Sequence, residues 1–275
     1  MKKLFAALLL LLIPTLTYAW DQKPPQAPAA CAAQMPWGEP STKAGMPVIC
    51  RHAYILEHDN AARIPQWVAY TLTPEHAVGC IPRTNAFAAD ASVPAGQRAE
   101  LADYAKSGYD IGHLANAADM AFDDQAMQES FLLTNMSPQL PGLNRGIWKV
   151  LESYERAWAF NTKHTFTIYD GNIYTVGKSK TIGPDGVVVP DQLFKILIDD
   201  NTKEVQAYLF PHKEGQGTDL TPLLTSVAQI EQLTGTTFPV PPGTDKTKRA
   251  AAPWGGDLKP VADAKKTTCK GAAAD

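Results

Sequence analysis

His113, Asn135, Asn144, Glu152 and Arg156 follow one another through a single stretch of the chain, each set among apolar residues. An imidazole near its ordinary pKa takes a proton from water at neutral pH. A carboxamide oxygen is a neutral ligand for a hard cation, and magnesium keeps several waters, so a single such protein group can hold it. A carboxylate about two helical turns further on can accept hydrogen bonds from those waters. A guanidinium presents a fork of donors that suits phosphate oxygens and stays charged. The set is the equipment for metal-assisted cleavage of a phosphodiester bond.

Taken singly, each residue also has an ordinary structural role. His113, after Gly112 and three positions beyond Asp110, is by itself a core or surface histidine. Asn135 is a buried amide in need of partners, and Asn144 opens a helix, where asparagine is a common N-cap. Glu152 and Arg156, four apart, can form a surface ion pair worth little. Arg83, in Cys80-Ile-Pro-Arg-Thr-Asn, stands alone in an uncharged stretch. His52, His58, His76, His164 and His212 lack the H-x-x-x-H or H-E-x-x-H spacing of a zinc site and are assigned structural roles. Order and spacing taken together carry the functional reading.

The elements that must position these residues are legible in outline. Ile147, Leu151, Tyr154 and Trp158 fall at helical period and predict a helix from Asn144 to Phe160. Trp67 to Leu72, Thr165 to Tyr169, Ile173 to Val176, Phe194 to Ile198 and Val205 to Phe210 read as strands, the last two joined by a turn over 199–203. Helical segments are expected around Gly96 to Lys106, Ala121 to Phe131 and Leu220 to Leu233. Residues 20–47 read as an extended lead-in rich in Pro, Ala and Gly, and structure is expected to fade after Pro239. No repeat and no second core is visible, so 48–270 is expected to form one mixed α+β domain.

Residues 1–19 carry the layout of a secretory signal peptide: Lys2 and Lys3, an apolar run from Leu4 to Leu12, and Thr17-Tyr18-Ala19 before the cut. The run is short for a membrane span and Pro14 interrupts its end, so export to the periplasm or beyond is expected, with no membrane partner after cleavage. The four cysteines all follow this segment, and an even number in an oxidising compartment implies two disulfides. Of three possible pairings, Cys31 with Cys50 and Cys80 with Cys269 is preferred, because the second would secure the tail. The composition, 45% hydrophobic and 19% charged, is globular. Removing Lys2 and Lys3 takes the formal charge from −3 to −5. That sign opposes a nucleic-acid partner unless a local cationic groove exists.

The motifs closely resemble those of the DNA/RNA non-specific endonuclease family, secreted nucleases of the ββα-metal class. Asp110-Ile111-Gly112-His113 matches Asp-Arg-Gly-His, Asn135-Met136-Ser137-Pro138-Gln139 matches Asn-hydrophobic-(Ser/Thr)-Pro-Gln, and Asn144-Arg145-Gly146-Ile147-Trp148 matches Asn-x-Gly-x-Trp, with Glu152 and Arg156 in the same helix. The segments around Arg51 to Leu56, Trp67 to Tyr70, Lys195-Ile196 and Cys269-Lys270 extend the likeness from about Cys50 to Lys270. The resemblance implies a single ββα-metal nuclease domain with a mostly antiparallel central sheet flanked by helices. It implies DNA and RNA as substrates, Mg2+ (or Mn2+ in its place) as cofactor, and products with 5′-phosphate and 3′-hydroxyl ends. By the same likeness His113 is the general base, Asn144 the direct metal ligand, and Glu152 the residue holding waters of the ion. Arg83 contacts the phosphate, Arg156 steadies the developing charge, and Asn135 supports the site.

One position breaks the pattern: Ile111 stands where the family has arginine. Losing a guanidinium near phosphate costs on the order of 1–3 kcal/mol, roughly 5- to 150-fold in rate, unless Lys106, Arg145 or Lys149 compensates. A non-catalytic or weakly active nucleic-acid-binding protein is therefore the alternative, and a phosphodiesterase for small esters a third reading.

Overall fold

The computed structural model describes residues 22–26, 28–215 and 217–270; the expected signal peptide lies outside them. The first strands are β1 (Val48–Cys50), β2 (Ile55–Asp59), β3 (Ile64–Leu72), β4 (Asp110–His113) and β5 (Met136–Gln139). After them come β6 (Phe166–Ile173), β7 (Thr181–Ile182), β8 (Val187–Val188), β9 (Gln192–Asp199), β10 (Val205–Pro211) and β11 (Leu224–Thr225). The helices are α1 (Leu101–Tyr104), α2 (Asp124–Ser130), α3 (Lys149–Thr162), α4 (Val227–Thr234) and α5 (Lys259–Thr268). Seven strands form one sheet in the order β1-β2-β3-β6-β9-β10-β11, and every neighbouring pair is antiparallel. The expected α+β architecture with an antiparallel central sheet is the one found.

The sheet is covered on both faces, which is why its inner strands are apolar almost throughout. In β3 the pleat sends Val68, Tyr70 and Leu72 into a core shared with Ile147, Leu151 and Trp158 of the α3 region. Trp67 and Ala69 point the other way, into a core with Tyr169, Phe194, Val227 and Ile230. Each such fully buried large side chain contributes roughly 1.5–3 kcal/mol. Through the first core runs one charged cluster. Lys195 of β9 is fully buried and its Nζ lies 2.6 Å from Asp170 of β6 and 3.4 Å from Glu155 of α3. The same ammonium sits 4.5 Å from the ring centroid of Trp148. Burial disfavours the ammonium, but Asp170 and Glu155 outweigh it and hold Lys195 charged.

β4 and β5 form a separate antiparallel pair, with Gly112 opposite Ser137 and His113 opposite Met136. Gly112 has to be glycine, since a Cβ there would lie 2.4 Å from the Gln139 side chain. Between the two strands α2 starts from Asp123, whose carboxylate accepts from the backbone N–H groups of Gln125 and Ala126.

Several local expectations are corrected. The helix predicted from Asn144 is interrupted: Leu143–Trp148 is a wide turn kinked at Gly146, and α3 begins only at Lys149, so Asn144 is not its N-cap. The lead-in is not wholly extended, because Pro28–Gln34 forms a 3-10 turn that buries Cys31. Phe166 to Tyr169 and Ile173 are parts of one strand, β6, which starts after Thr165 and stops before Tyr174. The helix expected from Leu220 to Leu233 breaks into a 3-10 turn, the short β11 and α4, whose N-cap Ser226 accepts from the Gln229 N–H. Helix around Gly96 to Lys106 shrinks to α1. The tail does not fade: α5 packs on α3 through Val261.

Both preferred disulfides are present. Cys31–Cys50 ties the 3-10 turn to β1, and Cys80–Cys269 ties the end of α5 to the segment before Arg83. The second spans 189 positions, and on the loop-entropy argument a closure that long contributes up to about 5 kcal/mol. Replacing Lys195 by Met leaves Asp170 and Glu155 buried without their cation. Urea denaturation of Lys195→Met is expected to show a loss of about 3–5 kcal/mol; an unchanged midpoint would show that the cluster contributes nothing net.

Candidate active site

A cleft of about 760 Å³ opens between β4, α3 and α5. Into it the local structure brings His113 from the end of β4, Asn144 from the kinked turn, and Glu152 and Arg156 from successive turns of α3. Arg83 and Ile111 join them, while Asn135 of the expected set does not. Arg145, Lys149 and Lys265 also line it, so five cationic side chains surround one buried carboxylate. That is the local cationic groove which the acidic net charge made necessary.

His113 is held by aromatic rings. Phe131 meets it edge-on at 4.8 Å between centroids, Phe87 does so at 5.6 Å, and the two phenylalanines pack on each other at 4.9 Å. The imidazole is 8% exposed, and its Nε2 is buried without a hydrogen-bond partner. Burial, with the Arg83 charge nearby, lowers its pKa to about 3 rather than leaving it near the ordinary value expected from sequence, so the ring is neutral at physiological pH. The Arg83 guanidinium lies 4.8 Å from the centroid of the Phe131 ring, with its Nε donating to Asn85 at 2.7 Å.

Asn144 is oriented by Asp110, whose Oδ2 accepts from its Nδ2 at 2.9 Å. With that N–H₂ engaged, Oδ1 is the atom left to serve as a ligand. Arg145 grips the same carboxylate from solvent through Nε at 2.8 Å and a second nitrogen at 2.5 Å. Burial tends to raise the Asp110 pKa, but hydrogen bonds from Arg145 and Asn144 pull it below the ordinary value.

Glu152 and Arg156 do not form the surface ion pair open to them. Glu152 is buried, and burial raises its pKa against the pull of Lys195, Arg156 and a hydrogen bond with Asn116. Arg156 donates instead to Asp119 at 2.8 Å, and Asp119 also accepts from the Tyr70 hydroxyl at 3.2 Å. Asn135 lies beneath the cleft rather than in it. It is fully buried, accepts from the Ala115 N–H at 2.9 Å and donates to the carbonyls of Ala115 and Ser130. These bonds fix the backbone that follows His113.

Sequence reasoning overlooked Phe87, Phe131, Asn116, Asp119 and Lys265. Asp119 announces itself only through its partner Arg156, and Lys265 lay in a tail that showed no periodicity. The other histidines serve packing and turns. His212, for instance, accepts the Leu140 N–H at 2.9 Å, and His164 pairs with Asp199.

The fold is that of a ββα-metal nuclease. Over residues 39–245 the sequence matches the DNA/RNA non-specific endonuclease family, and the chain belongs to that family. It is 34% identical over 242 residues to the mitochondrial endonuclease G of Bos taurus, covering 78% of this chain and 80% of that one. Nuclease C1 of Cunninghamella echinulata var. echinulata is 30% identical over 220 residues, 74% of this chain and 85% of that protein. A chain in the crystal structure of the EndoG/EndoGI complex superposes with a TM-score of 0.69 at 27% identity, covering 75% of this chain and 90% of its own length. The chain is accordingly a nuclease.

The burial of His113 has a measurable consequence. Its folded pKa of about 3 lies below the unfolded 6.5, so the unfolded chain binds the extra proton and stability falls as pH drops through that window. Urea denaturation at pH 7 and pH 5 is expected to show the wild type losing about 2 kcal/mol more than His113→Gln. Equal losses would place the imidazole in water.

Proposed function

We propose that this nuclease is an exported, magnesium-dependent endonuclease that cuts DNA and RNA without sequence specificity and leaves 5′-phosphate and 3′-hydroxyl ends. Manganese would substitute for magnesium. The observation that carries the reading is the convergence of an unpartnered neutral imidazole, an oriented carboxamide oxygen and a buried carboxylate in one cationic cleft. The fit to a hard divalent cation rests on the same residues. Asn144 and Glu152 offer oxygen donors at the cleft, Asn144 through the Oδ1 that its bond to Asp110 leaves facing away and Glu152 through a buried carboxyl. A neutral carboxamide oxygen and a carboxyl oxygen are donors that suit a hard divalent cation. Among the described residues no three His, Cys, Asp or Glu side chains group as a metal site, and a magnesium ion that keeps its waters does not need them.

When bound, the ion would polarise the scissile phosphate and offset charge on the departing 3′ oxygen. The chain supplies the rest. His113, neutral and set by Phe87 and Phe131, takes the proton from the attacking water. Asn144, aligned by Asp110, and Glu152 would hold the ion, Asn144 directly and Glu152 through its waters. Arg156, anchored on Asp119, and Arg83 place fixed positive charge beside the phosphate as it gains negative charge. Asn135 keeps the backbone after His113 in register. The contacts available are to phosphate, so neither base nor sugar need be read.

Export rests on the layout of residues 1–19 and on the two disulfides. No helix among the described residues is long and apolar enough to cross a membrane.

Ile111 favours a second reading, a weak or silent nuclease that still binds. It lines the cleft as part of an apolar wall and packs against a neighbouring core cluster. Digestion of plasmid and of RNA tests both. His113→Ala is expected to slow cleavage of each by roughly 10²- to 10⁴-fold, and chelation to stop it; full activity in His113→Ala would sink the mechanism. Tight binding without cleavage, with cleavage restored in Ile111→Arg, would establish the second reading instead.

A further inference from the structure

The family match ends at residue 245, yet the cleft does not. One of its walls is α5, which contributes Val261, Ala262 and Lys265, with Leu258 at the rim just before the helix. This wall is built, not draped. Trp158 Nε1 donates to the Gly255 carbonyl at 3.0 Å and Asn161 donates to the Asp257 carbonyl at 2.9 Å, so α3 fixes the approach to α5. Val261 is buried in the core that α3 shares with the sheet. At the far end Cys269 closes on Cys80, and its N–H donates to the Lys265 carbonyl at 2.8 Å. The bridge thus joins the residue three positions before Arg83 to the residue one helical turn after Lys265. Two cations of the cleft, contributed by segments far apart in the chain, are held on one covalent clamp.

We infer that α5 is a substrate-binding wall: Lys265 contacts a backbone phosphate flanking the scissile one, and the Cys80–Cys269 bridge sets its distance from Arg83. This rests on the nucleic-acid-cleaving reading of the same cleft and extends it to a residue that no motif marks. A flanking contact adds affinity for a polymer without touching the reacting atoms. Lys265 is therefore a positioning residue, and its signature is electrostatic. Each phosphate neutralised releases counterions and steepens the dependence of affinity on salt.

The test is equilibrium binding of a fluorescein-labelled single-stranded oligonucleotide in EDTA, where nothing is cut, across a salt series. Relative to wild type, Lys265→Ala is expected to flatten the plot of log affinity against log salt by about 0.7, and Lys265→Arg to restore it. A slope unchanged in Lys265→Ala overturns the inference, since a helix that only packs would alter stability and not the slope. The double variant Cys80→Ser, Cys269→Ser, checked for an intact fold by circular dichroism, is expected to show the same flattening. A wild-type slope there overturns the clamp. Digestion by the wild type in magnesium is scored separately. Cleavage with an unchanged Lys265→Ala slope removes this inference alone, whereas a flattened slope without any cleavage supports it and removes the nuclease reading.

Discussion

The ammonium of Lys195 is the point at which sheet and helix are joined. It lies on β9 in the middle of the sheet, touches Asp170 on the neighbouring strand, reaches Glu155 on α3, and carries the ring of Trp148 on top of it. A buried charge tolerates little displacement, because moving it exposes carboxylates to a low-dielectric interior without compensation. Glu155 stands one helical turn after Glu152 and just before Arg156. Fixing Glu155 therefore fixes the azimuth of α3, and with it the direction in which Glu152 and Arg156 face the cleft.

The other side of the site is held by a different kind of contact. β4 lies so close to Gln139 that only glycine fits at position 112, and this places His113 against Phe131 and Phe87. Asn135 reinforces the same strand end through the backbone of Ala115. The His113 imidazole is thus fixed by sterics and apolar packing, and the Glu152 carboxyl by charge. Asp110 couples the two halves, since it sits on β4 and orients Asn144 at the approach to α3. Such supports, each holding one reactive group in one rotamer, distinguish a preorganised site from a mere collection of polar residues.

Much of this was legible in the chain, for reasons that differ from part to part. The stripe Ile147, Leu151, Tyr154, Trp158 marked α3 because one side of that helix is core. The motif residues stood out because polar groups at fixed spacing among apolar ones have few structural explanations. The lost positions are those whose signal depends on distant partners. Asp119 means little until Arg156 is beside it, and the i, i+4 rule misled because a buried carboxylate competed for that guanidinium. The break at Gly146 was invisible to periodicity, since Ile147 remains on the buried side despite the kink. The tail read as structureless because α5 is mostly exposed and buries chiefly Val261, so its stability comes from docking and a disulfide rather than from an apolar stripe.

The bridge between Cys80 and Cys269 also orders events in time. It cannot form until Cys269 has been synthesised, and then only where thiols are oxidised. Before that moment the strands, α3 and the motif residues can already be in place, but the wall bearing Lys265 is held by packing alone. The last turn of α5 is thus the piece of the groove that is fixed latest. A cell making this protein in a reducing compartment would hold a chain whose sheet and α3 are folded and whose α5 still lacks its covalent tie.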